Sequence, residues 1–129
     1  MPGKRFKGVP LVEGEAEGEV VVVDSISFYG DVEPEEGRLV DGRVVAGKVL
    51  AARRSRGSTV GSYVIFALRE YGKAPKAIIM EESEPIVIAG AVLAGIPLVH
   101  KLPGELFSTL RDGVKVRVYR DGAVELLGK

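Results

Sequence analysis

The chain contains no cysteine, asparagine, glutamine or tryptophan, and only one histidine and two methionines among 129 residues. Without cysteine it can form no disulfide, offer no thiol nucleophile and ligate no iron–sulfur cluster, and a lone histidine cannot build a zinc site. No apolar run approaches the roughly 20 residues that span a bilayer, and no apolar signal segment follows Met1–Lys7, so a cytoplasmic protein is expected. A charge excess is missing too. The 18 basic and 18 acidic residues cancel, which removes any general attraction to nucleic acid or an anionic membrane. Loss of heat-labile amides and thiols while 28% of residues stay charged is the composition of hyperthermophile proteins.

What is present suits a single domain, residues 1–129: 46% of the residues are apolar, enough to bury roughly two-thirds of the unfolded surface. After a polar stretch, Glu13–Gly18, four consecutive valines between Glu19 and Asp24 read as a buried strand. Phe28–Gly42, rich in glycine, proline and acids, predicts a long loop, and Val44–Ala51 a second strand. Ala77–Met80 is a short apolar strand. The segment Ile86–Leu93 fits either a strand or a helix beginning near Pro85, with Ala89–Ala94 helical and Gly95 as its stop, and Ile96–Val99 predicts a further strand. Val114–Tyr119 and Ala123–Leu126 alternate around Arg120-Asp121-Gly122, the pattern of a hairpin. The fold class expected is α/β, with a mixed sheet and flanking helices.

The stretch from Arg56 to Tyr63 joins a glycine- and hydroxyl-rich turn to a helix. Apolar residues at Val60, Tyr63, Val64, Ala67, Leu68 and Tyr71 follow a one-sided helical rhythm that Gly72 and Pro75 end. At about 100° per residue, Ser62 falls opposite that stripe and is expected to face away from the core. The first turn of a helix offers unpaired N–H groups and a partial positive charge, which a glycine turn lets an anion approach, and Arg56 adds a cation. Serine and threonine before a helix are ordinarily caps, and glycines there ordinarily make turns; yet Ser58, Thr59 and Ser62 are more hydroxyls than one cap needs. Neither a P-loop nor a nucleophile elbow fits the Gly57–Gly61 spacing. His100, at the end of an apolar run, reads as a packing or surface residue rather than a base. Arg53-Arg54-Ser55-Arg56 abuts the turn and suits either anion binding or partner docking. Ile65 and Phe66 lie off the helical stripe and are candidates for a partner contact or for burial under the 28–42 loop.

The run Arg56-Gly57-Ser58-x-x-Gly61-Ser62 carries a family resemblance, together with Ser27–Val32, Gly47–Leu50, and Gly72-Lys73-Ala74-Pro75 leading into Ala77-Ile78-Ile79. Over nearly its whole length the chain resembles the small subunit of the aconitase X proteins. It departs from many relatives at Phe28–Glu33 and has no histidine near Asp41–Arg43. The resemblance implies a swivelling β/β/α domain like the C-terminal domain of aconitase, acting as half of a heterodimeric dehydratase. A large subunit would hold an iron–sulfur cluster, with no metal bound by this chain. It further implies Ser62 as proton acceptor, with Arg56, Gly57, Ser58, Thr59 and Gly61 as the substrate cradle. The implied substrate is a small phosphorylated carboxylate, 5-phosphomevalonate, favoured over a hydroxyproline isomer by the hyperthermophile composition. The remaining rival is a non-catalytic domain that only closes the large subunit's site, or one that binds anions alone.

Overall fold

The computed structural model describes residues 3–57 and 59–128. In chain order the elements are β1 (Arg5–Lys7), β2 (Val9–Val12), β3 (Ala16–Ile26), α1 (Phe28–Asp31), β4 (Val32–Glu33), β5 (Arg38–Leu39), β6 (Val49–Ser55), α2 (Gly61–Glu70), β7 (Ala77–Met80), α3 (Pro85–Ala94), β8 (Leu98–His100), α4 (Gly104–Thr109), β9 (Lys115–Val118) and β10 (Ala123–Gly128). Eight strands form one mixed sheet in the order β1-β10-β9-β3-β6-β7-β8-β2, while β4 and β5 make a separate hairpin. The central strands β3, β6, β7 and β8 run parallel, with α2 and α3 in the crossovers.

Both faces of those strands are covered, so they read as continuous apolar runs rather than alternating ones. Leu50, Ala52, Ile78, Met80 and Leu98 pack with Ile65 and Leu68 of α2 and Val87 and Ala91 of α3. Their neighbours Val49, Ala51, Ala77, Ile79 and Val99 face the other way, onto Leu106 and Phe107 of α4 and the apolar side of β1, β9 and β10.

Three predicted elements shift. The valine strand extends back to Ala16, because Ala16–Glu19 pair antiparallel with β9 while Val20–Ile26 pair parallel with β6. The expected strand at Val44–Ala51 starts only at Val49: Gly47 has φ 71, outside extended geometry, and the strand then continues through Arg53 to Ser55. The 28–42 segment is not a plain loop. Ser27 Oγ accepts from the Gly30 amide at 3.2 Å to cap the single turn α1, and buried Phe28, Val32 and Leu39 tie this turn and the β4–β5 hairpin to the core containing α2. The ambiguous segment resolves as helix α3, with Pro85 in its first turn and Gly95 at φ 66 closing it. The strands β1 and β2 and the helix α4 were not anticipated.

Helix α2 lies where the periodicity puts it, but its buried face is Gly61, Ser62, Ile65 and Leu68. Tyr63 is 71% exposed, and Val60 and Tyr71 also face solvent. The cause is α3: a Cβ on Gly90 would lie 2.9 Å from Ile65 Cδ1 and 3.0 Å from Ser62 Cα, so the two helices touch where Gly90 has no side chain. Ser62 therefore faces the core, contrary to the expectation from the stripe.

Candidate functional site

In an open parallel sheet, ligands bind beyond the carboxyl ends of the strands, where the connecting segments converge. Here those segments are residues 27–31 after β3, 56–60 after β6, 81–84 after β7 and 101–103 after β8. The chain knits them together. The Arg56 amide donates to Ile26 O at 2.8 Å, the Glu81 and Glu82 amides donate to Arg53 O, and the Lys101 amide donates to Glu81 O at 3.0 Å.

The predicted site residues converge at this edge, though not all as expected. Arg56 is exposed but paired, its guanidinium donating to Asp31 Oδ2 at 2.8 Å and to Ser25 Oγ at 3.0 Å. Gly57 and Thr59 are exposed and line a pocket of about 450 Å³ with Glu84, Pro85 and Ile86. Gly61 is buried, and a Cβ there would sit in ordinary contact with Phe28 and Ile86. Ser62 is buried, 9% exposed. Ser58 lies outside the described residues.

Polar groups that the sequence did not single out complete the edge. Ser55 Oγ donates to Glu84 Oε1 at 2.9 Å, and Glu84 Oε2 faces Gly57. Half-buried Arg53 donates to Glu81 at 3.1 Å and to Ser108 Oγ at 2.8 Å, locking α4 to the strand ends. Ser83 Oγ and His100 Nδ1 are 2.8 Å apart, and burial, followed by the Lys101 charge, holds the imidazole below its ordinary pKa. Lys101 has φ 59 and grips Glu82 at 2.8 Å, which lowers the Glu82 pKa. The signal for these residues is topological. Glu81-Glu82-Ser83-Glu84 directly follows a buried parallel strand, and so belongs to the same edge as the Arg56 turn.

The family model of the aconitase X swivel domain matches residues 5–126. The chain belongs to the aconitase X swivel domain family. The phosphomevalonate dehydratase small subunit of Aeropyrum pernix is 63% identical over 124 residues, covering 96% of this chain and 94% of that protein. Its counterpart in Pyrococcus abyssi is 48% identical over 132 residues, covering 96% and 99%. Among solved structures, holo-form aconitase X from Thermococcus kodakaraensis superposes with a TM-score of 0.90 at 47% identity, covering 97% of this chain and 99% of that one. The sequence has no cysteine, and no group of three or more His, Cys, Asp or Glu able to hold a metal occurs among the described residues. No described helix is long and apolar enough to cross a membrane.

Proposed function

We propose that this chain is the small subunit of a heteromeric hydro-lyase, active with a large aconitase X-type subunit, that dehydrates (R)-5-phosphomevalonate to trans-anhydromevalonate 5-phosphate. The reaction removes a proton beside the carboxylate and expels the tertiary hydroxyl as water. The observation that carries the reading is the 63% identity, across almost the full length of both chains, to a protein named as that subunit. An iron–sulfur cluster belongs, on this reading, to the large subunit.

This chain contributes the turn from Arg56 to Ser62. The N–H groups of Gly61 and Ser62 at the start of α2 are without acceptors among the described residues, and they supply positive potential for an anionic group and for a serine oxygen that takes a proton. Exposed Gly57 and Thr59 leave the backbone open to the ligand, buried Gly61 begins α2 behind them, and Arg56 stands at the rim. Two serines compete for the proton. Ser62, expected from the family motif, sits against α3 in this chain, and Ser58 lies outside the described residues. Ser62 is the proton acceptor on this reading, with Ser58 the next candidate in the motif.

The test is reconstitution with the large subunit, assaying phosphomevalonate and a hydroxyproline isomer in parallel. Turnover of phosphomevalonate by the mixture and by neither chain alone is expected; turnover of the hydroxyproline isomer alone would overturn the substrate. Ser62→Ala is expected to lose about 10²–10⁴-fold in kcat, the usual cost of removing a general base. A loss of that size in Ser58→Ala, with Ser62→Ala active, would move the role to Ser58.

A further inference from the structure

We infer that Glu84 is a positioning residue for the Arg56–Ser62 turn, holding it through Ser55 at the point where β6 ends. The inference rests on the proposed reading, in which that turn is the catalytic element. Glu84 occupies the N-cap position of α3 in extended geometry, φ −98 and ψ 154, yet its side chain makes no capping hydrogen bond. Capping is the ordinary use of a polar side chain there, and here the carboxylate turns away from its own helix. One oxygen accepts from Ser55 Oγ at 2.9 Å, on the last residue before the turn. The other faces Gly57, at 3.4 Å from where a Cβ would stand.

The turn needs such a brace because Gly57 and Gly61 give it more backbone freedom than any other residue would. On the β3 side it is held by the Arg56 amide on Ile26 O and by the Arg56 side chain on Asp31 and Ser25. On the β7 side the Ser55–Glu84 hydrogen bond is the corresponding tie. Glu84 also lies beside Gly57 and Thr59 at the pocket they line, so a shift of its carboxylate shifts the turn itself. Misplacement of a reacting group by about 1 Å can cost about 10²-fold in rate, so the brace should be read in kcat.

The experiment uses Glu84→Ala, Ser55→Ala and Glu84→Gln in the reconstituted two-subunit complex. Glutamine keeps an oxygen that can accept from Ser55, so Glu84→Gln should stay within about threefold of wild type, while both alanine variants lose about 10- to 100-fold in kcat with KM little changed. Hydrogen–deuterium exchange is measured alongside. Peptides covering residues 56–63 should exchange about tenfold faster in both alanine variants, with α4 unaffected. Unchanged exchange in Glu84→Ala overturns the inference, as does a uniform rise over the whole chain in both alanine variants, or a glutamine variant as impaired as alanine. Exchange needs no substrate, so a wild-type complex inert toward phosphomevalonate would defeat the functional reading and still leave this one decided.

Discussion

Arg56 meets any ligand already paired. Its partner Asp31 is part-exposed, and such surface pairs contribute about 1 kcal/mol or less, so an incoming carboxylate or phosphate can take the guanidinium over. A charged hydrogen bond to the ligand is worth about 1.5–3 kcal/mol, which predicts that Arg56→Met raises KM about tenfold or more while the melting temperature barely moves. An unchanged KM would remove Arg56 from the cradle. His100 makes a separate, pH-dependent contribution. Its folded-state pKa lies below the ordinary value of about 6.5, first through burial and then through Lys101. Below that value the unfolded chain binds the proton more readily than the folded one, so the contribution is full above about pH 6.5 and is lost as the pH falls toward the folded value. Denaturant titrations should show this slope, and His100→Gln should flatten it.

At the level of the helices, the contact between α2 and α3 decides which side chains are core and which are surface. Ile65 is fully buried, so Ile65→Ala should cost about 2–5 kcal/mol of stability. Gly90→Ala should cost about 1–3 kcal/mol by forcing apart helices that touch backbone to side chain. Phe66, next to Ile65 in sequence, is 37% exposed, and Phe66→Asp should weaken association with the large subunit in sedimentation while leaving the isolated domain's melting temperature unchanged. The sequence grouped Ile65 with Phe66 as off-stripe residues, and only one of them reaches the surface. Helix α2 was legible in extent because Val60 to Tyr71 keep a helical period. Its orientation was not, because the helix has apolar residues on more than one side and the choice falls to Gly90, on the next helix in the chain. The strands β7 and β10 and the end of α3 were legible from local signals. Short β1 and β2 and the six-residue α4 were not, because their geometry comes from long-range pairing and packing. The turn at Arg56–Ser62 was visible as a motif, whereas Glu84 and Ser55 became part of the site only once parallel strands brought their ends to one edge.

Across the whole molecule, one residue links the two ends of the sheet. β1 and β2 are separated in sequence by Gly8 alone, yet β1 pairs with β10 at one edge and β2 with β8 at the other, so the chain bends the sheet until its edges nearly meet. Closure of this kind removes exposed strand edges that would otherwise invite pairing with other chains. Gly8 donates its amide to Gly122 O at 2.9 Å, and a Cβ on it would stand 2.6 Å from His100 O, 2.7 Å from Val99 Cγ1 and 2.8 Å from Leu102 Cγ. The first of these is backbone and cannot swing away. Gly8→Ala must therefore spread β2 from β8 or β1 from β10, and the strain reaches both apolar layers at once. The expected outcome is a loss of about 1–3 kcal/mol, the range for overpacked cores, in a single cooperative transition. Because β8 ends at His100, beside the edge that holds the turn, the same variant should also lower turnover in the reconstituted complex. Gly3→Ala, with open space around its Cβ but φ 84, serves as the control for backbone strain alone. If Gly8→Ala melts no earlier than Gly3→Ala, the edges are joined too loosely for closure to support the site.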